Sequence, residues 1–451
     1  MPELSRRTFI ARSGATAGAL AFTGAAACSG SDDDHGAAAP GTTSRGTAST
    51  APFDPGDWDS VRAQFPLSAD RRHFAAFVLA AHPRPVAEAI ERHRAGLDED
   101  TETYLATTEQ EAETAVRTEA ADYLGARRDE IALTDSTTMG LGLVYGGMRL
   151  AAGHEVLATE HDFYSTHQAL ALRAARTGAR FRKVRLYDDP SAATVDEIVG
   201  RLTSDVTPAT RAVAVTWVHS GTGVKLPVRA IADALVDLNA GRGDGDRVLL
   251  CVAGVHGLGV EDVGVADLGC DFLVAGTHKW LFGPRGTGIV WGRADAWPAV
   301  DGVIPPFEPV SYREWLDGAR PGPMSGVRLS PGGYHSFEHR WALAEAFRFH
   351  LDIGKDAVAR RTHEQATQLK EGLAELPGVS VVTPMAEELS AGIVCLEVAG
   401  SQPADVLGTL AAHGVIASIT PLPGAIRAPG TEHRDVARRR ERGRRGPQAV
   451  T

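Results

Sequence analysis

Lys279 is the residue best placed for covalent chemistry. It follows the apolar run Phe272 to Ala275, with Thr277 and His278 just before it. After it come Trp280 to Phe282 and then Gly283-Pro284-Arg285-Gly286-Thr287-Gly288. A lysine amine held between an apolar strand and an apolar patch loses solvation, which lowers its pKa and frees the nucleophilic form, so Lys279 is a candidate Schiff-base amine. The bland alternative is a solvated surface lysine, the usual fate of this residue type. The wider stretch Leu249 to Gly292 contains two short apolar strands, each breaking into polar residues and glycines, and open α/β sheets place their chemistry at such strand ends. Upstream, Ser136-Thr137-Thr138-Met139-Gly140 opens a predicted helix. The free N–H groups and positive dipole end of a helix start bind phosphate, and Thr137 and Thr138 add hydroxyls; a plain N-cap is the alternative.

Thr-His-Lys-Trp ahead of Gly-Pro-Arg-Gly-Thr-Gly resembles the lysine motif of the class V aminotransferases, pyridoxal-phosphate enzymes that include cysteine desulfurases and isopenicillin N epimerase. Three further segments agree in order: Leu133 to Gly140, Thr159 to His167 and Val218 to Pro227. The resemblance runs from about Phe65 to about Thr420 and implies the fold: α/β of PLP fold type I (aspartate aminotransferase-like), a large domain with a mostly parallel sheet plus a small C-terminal α+β domain. It implies pyridoxal 5'-phosphate as cofactor, held by Lys279. It also implies Thr137, Thr138, Thr277 and His278 at the phosphate, His161 stacked on the cofactor ring with Phe163 or Tyr164 as fallback, and Ser220 and His256 at the phenolic oxygen. Arg340 and Arg427 become candidates for substrate, which the resemblance makes a small amino acid, and a homodimer is expected. Two departures stand out. Met139 takes the place of a usual Glu. Where the family writes Asp-Gly-x-His, this chain writes Ala253-Gly254-Val255-His256, which removes the acid partner of the ring nitrogen and predicts slow carbanion chemistry.

The elements that must position these residues are legible as alternation. Strands are predicted at Ile131 to Thr134, Glu155 to Ala158, Phe181 to Leu186, Ala212 to Val218, Arg247 to Val252 and Phe272 to Ala275. Helices fall between them, an order that implies a mostly parallel sheet covered on both faces. From Ala342 one long helix is predicted, then short strands and a last helix. The expected domains are a large cofactor-binding unit over 85–310 and a small one over 311–430, with 53–84 packing on the small unit. Residues 431–451 form a basic tail without an apolar stripe.

The 451 residues and 43% hydrophobic content suit a large globular core, and a net charge of -11 argues against general nucleic-acid affinity. Cys28, Cys251, Cys270 and Cys395 have no metal-ligand spacing, and the last three read as buried thiols. Residues 1–28 read as a twin-arginine export signal: Ser5-Arg6-Arg7-Thr8-Phe9-Ile10, an uncharged Ala/Gly-rich stretch, then Ala25-Ala26-Ala27-Cys28, which is similar to a lipobox. Membrane attachment is expected only through that signal or a lipid on Cys28, in the cell envelope; cleavage and secretion without lipid is the alternative. Residues 29–52 are a Gly/Ser/Thr/Ala-rich linker. The function expected is transamination, epimerisation or C-S lyase chemistry at an amino-acid α-carbon. A desulfurase is disfavoured because Pro306 to Trp341 has no cysteine. The competing expectation is an exported binding or scaffold protein of this fold with little catalysis.

Overall fold

A computed structural model describes residues 52–420. The expected export signal, Cys28, Arg427 and the basic tail lie outside the described residues. The central sheet has seven strands: β1 Ile131–Thr134, β2 Glu155–Thr159, β3 Arg180–Val184, β4 Thr210–Thr216, β5 Leu249–Ala253, β6 Phe272–Gly276 and β7 Gly288–Gly292. Their order across the sheet is β1-β7-β6-β5-β4-β2-β3. The neighbours from β3 to β6 run parallel, and β7 alone runs antiparallel to both of its neighbours, β1 and β6. Strands buried on both faces read as continuous apolar runs, and β1, β2, β5, β6 and β7 are buried at every position.

The major helices are α1 Arg84–Glu99, α2 Thr101–Leu124, α3 Thr137–Gly147, α4 Tyr164–Thr177, α5 Val195–Ser204, α6 Val228–Asn239, α7 Phe337–Ile353 and α8 Lys355–Ala374. They bury two apolar clusters, one on each face of the sheet. α3 approaches the sheet because Gly140 has no side chain: a Cβ there would lie 2.6 Å from Val274 and 2.9 Å from Val290. The long helix predicted from Ala342 is two helices, interrupted where Gly354 takes φ 93°. The strand β7 and the helix α5 were not foreseen. β7 carries only three apolar residues between glycines, too short a pattern to separate from the motif loop before it.

Two smaller pairings complete the description. Arg72–His73 pairs in parallel with Val415–Ile416, so the N-terminal segment meets the C-terminal part of the chain. Val379–Val381 pairs antiparallel with Leu396–Val398. Cys251, Cys270 and Cys395 are free and buried, as their apolar settings predict.

Candidate active site

The ends of β5 and β6 bring Lys279 and His256 together. Lys279 Nζ lies 3.3 Å from His256 Nε2, and the Trp280 indole N–H donates to His256 Nδ1 at 3.2 Å. An indole N–H can only donate, so Nδ1 must be an acceptor and the proton of the neutral ring sits on Nε2. That N–H then points at a lysine nitrogen that can accept only as a free amine. Burial moves Lys279 towards the free amine, lowering its pKa from the ordinary 10.5 to about 8. Burial first, then the charges of Lys279 and His278, hold His256 well below the usual histidine range. Among the described residues no carboxylate pairs with Lys279. Lys225 instead pairs with Glu261 at 2.9 Å, and Lys355 donates to the Tyr123 carbonyl at 2.9 Å.

The turn after Lys279 is tightly held. Phe282 adopts φ 57°, a conformation that costs a bulky residue about 1–3 kcal/mol. Its ring packs edge-on against Phe65, with centroids 4.8 Å apart, and its N–H returns to the Lys279 carbonyl at 3.0 Å. Thr277 is fully buried, and its hydroxyl meets that of Thr287 at 2.5 Å, so it ties the two ends of the 277–287 loop. The N-terminal segment closes over this turn: the Ala80 N–H donates to the His278 carbonyl at 3.1 Å, and the Phe77 ring centroid lies 6.4 Å from that of His256.

Thr137 opens α3 beside the strand end of β6. Ser136 is the N-cap and accepts from the Met139 N–H at 3.1 Å, and the Thr137 hydroxyl accepts from the Gly276 N–H at 2.7 Å. Thr138, exposed, follows in the first turn. A Cβ added at Gly276 would sit 2.9 Å from the His278 ring and 3.0 Å from the Thr137 hydroxyl, so these three residues border one small space. The His278 Nδ1 is buried there without a partner.

His161 lies at the end of β2, its ring stacked on Tyr187 with centroids 3.9 Å apart and an interplanar angle of 11°. Its Nε2 accepts from the Leu186 N–H at 3.3 Å, and burial lowers its pKa to about 4, leaving a neutral flat ring at neutral pH. Phe163 and Tyr164, the fallbacks, are exposed. Ser220 is half-buried, and its carbonyl accepts from the Cys395 thiol at 3.8 Å. Arg340 is buried and bridges Glu113 at 3.4 Å and Asp135 at 3.2 Å. It also lines a cavity of about 870 Å³ between α2 and the 307–335 segment, whose lining does not include Lys279. Sequence reasoning missed Trp280, Tyr187 and Thr287 as positioning residues. Each acts through another side chain, which no motif spacing reveals.

This constellation, a desolvated lysine at a strand end facing a helix start, has known counterparts. A model of the family described as aminotransferase class-V matches residues 82–424. The chain belongs to that family. As a class V aminotransferase it is 29% identical over 343 residues to isopenicillin N epimerase of Amycolatopsis lactamdurans, covering 74% of this chain and 82% of that one. It is 26% identical over 389 residues to a probable cysteine desulfurase of Xylella fastidiosa, covering 82% and 87%. Among solved structures it is similar to a C-DES mutant with glycine covalently linked to its PLP cofactor. That match has a TM-score of 0.71 at 20% identity, covers 79% of this chain and 90% of the other, and concerns the fold.

The residues present fit pyridoxal phosphate. The unpartnered His278 Nδ1, the Thr137 hydroxyl and the start of α3 supply donors for a phosphate. Lys279 supplies an amine, and His161 a flat neutral ring.

Proposed function

We propose that this class V aminotransferase is a pyridoxal-phosphate enzyme acting at the α-carbon of a small amino acid. The observation that carries the reading is the desolvated Lys279 amine, its pKa lowered to about 8, set against His256 at the end of the central sheet. Bound there, the cofactor supplies an electron-withdrawing ring that stabilises negative charge at the substrate α-carbon. Lys279 holds the cofactor through its amine and, once released, moves the α-proton. His256 keeps a proton on Nε2 for an oxygen acceptor when Lys279 is engaged elsewhere. Thr137, Thr138 and His278 serve the phosphate, Thr277 holds the loop that carries His278 through its bond to Thr287, Ser220 serves the phenolic oxygen side, and Arg340 and Arg427 the substrate. Transamination, epimerisation and C-S lyase chemistry share this machinery. A persulfide-forming cysteine is not offered among the described residues: burial pushes the Cys395 thiol up to about 11, and Cys251 and Cys270 are raised as well.

Reduction of the purified, yellow protein with borohydride tests the reading. Mass spectrometry is expected to place the pyridoxyl group on Lys279 and to find none in Lys279→Ala; a label on Lys225 or Lys355 would overturn the assignment. Ala253 favours a second reading, an exported protein of this fold with little or no catalysis. Its signature is a fully loaded, coloured protein that turns over no amino acid.

A further inference from the structure

The two readings divide on whether any carboxylate replaces the one absent at position 253. Ala253 ends β5 and is buried, facing the cluster that contains Tyr145, Ala158 and Cys251. Its register partner on β4 is Thr216. In-register parallel neighbours point to the same side of a sheet, so Thr216 shares the face of Ala253. On the next strand, β2, Ala158 faces the same cluster, and the loop after it carries Asp162.

Asp162 is 0% exposed. Its Oδ2 accepts the Thr159 N–H at 2.7 Å, while Oδ1 is buried without a partner. The Thr216 and Tyr145 hydroxyls are also buried and unpartnered. Asp162 interacts electrostatically with both, and Tyr145 with Cys251, two residues before Ala253. Oδ1 has the Thr216 hydroxyl near it but no donor in hydrogen-bond geometry, which leaves it able to accept a further proton donor. Glu261 and Asp262, the carboxylates nearest Ala253 in sequence, are committed elsewhere: Glu261 to Lys225 and His363, Asp262 to Lys355.

The nitrogen of a pyridoxal ring lies para to the carbon that Lys279 engages, so it points away from Lys279. His161, the stacking candidate, is the immediate neighbour of Asp162 in the chain. We infer that Asp162 is the acid partner of the cofactor's ring nitrogen, taking over from the β2 loop the place that Ala253 leaves vacant on β5. Burial is the first cause that raises the Asp162 carboxyl, opposed by the nearby Thr216 hydroxyl, the Thr159 N–H and the charge of His167. The inference rests on the proposed cofactor.

The test loads the full protein with pyridoxal phosphate isotopically labelled at the ring nitrogen and reads the nitrogen NMR shift at neutral pH. The wild type is expected at the protonated position and Asp162→Asn at the neutral one, with the Lys279 pyridoxyl label retained. Asp162→Asn with Ala253→Asp is expected to return to the protonated position, a rescue that a merely structural role for Asp162 would not produce. Amino-acid turnover should fall by roughly two to four powers of ten in Asp162→Asn and recover in the double variant. A neutral nitrogen in the wild type, or a protonated one in Asp162→Asn, overturns the inference. If Asp162→Asn does not fold, wild type and Ala253→Asp decide: an unchanged protonated signal in both supports Asp162, and a signal protonated only in Ala253→Asp refutes it. A labelled Lys279 with a neutral ring nitrogen tells against Asp162 alone. No label at Lys279 removes the proposed function as well.

Discussion

At Lys279 solvation decides reactivity, and that gives its amine a pH signature. Burial brings the pKa to about 8 from the ordinary 10.5, so the nucleophilic form is populated below the range in which exposed lysines react. In cofactor-free protein, the rate at which Lys279 is modified by an amine-selective reagent is expected to climb through pH 8 and level off above it; a climb centred near 10.5 would contradict the burial argument. The stability sign follows. Between about 8 and 10.5 the unfolded chain keeps a proton that the folded chain has lost, so this group makes stability rise with pH across that window. Lys279 and Thr137 were legible in sequence because each stands at the end or start of an element with a strong apolar pattern, and His256 through the resemblance to the class V aminotransferases. Asp162 was not. It sits within the recognised run Thr159 to His167, but only the burial of its carboxylate and the missing partner of Oδ1 separate it from a solvated loop residue. Asp162 and Ala253 belong to strands separated by β4 and lie far apart along the chain, so no spacing in sequence relates them.

Elements of the sheet were read well where burial on both faces gives an unbroken apolar run, as in β1, β5 and β6, with ends shifted by a residue or two. α2 ends at Gly125, which takes the left-handed conformation that closes a helix. The stretch from Pro306 to Trp341 is rich in glycine and proline, and its helix Pro309–Leu316 has no buried residue to impose a period. This segment instead exposes Phe307 at 69%, Trp315 at 70% and Tyr334 at 85%. Exposed aromatics concentrated on one segment mark a contact surface, and the expected homodimer offers the cover. Sedimentation of the wild type is expected to give a dimer, and Phe307→Asp with Trp315→Asp a folded monomer, since each buried aromatic anchor contributes about 2 kcal/mol or more. A wild-type monomer at micromolar concentration would remove this role from the segment.

For the whole molecule, the order of folding, loading and export matters. The site draws on residues from Phe77 to Arg340, so it exists only after the central sheet has closed, and the Ala80 to His278 hydrogen bond seals it from the N-terminal side. A chain threaded unfolded across a membrane would have to assemble this site outside, where the cofactor is not made. The Ser5-Arg6-Arg7-Thr8-Phe9-Ile10 run fits a route that carries folded proteins. The expected outcome is an envelope fraction that already contains pyridoxal phosphate, with Arg6→Lys and Arg7→Lys together leaving loaded protein in the cytoplasm. Fractionation followed by cofactor assay checks both halves. Envelope protein from the double-lysine variant would refute the twin-arginine route, while membrane association unchanged by Cys28→Ala would refute only the lipid anchor.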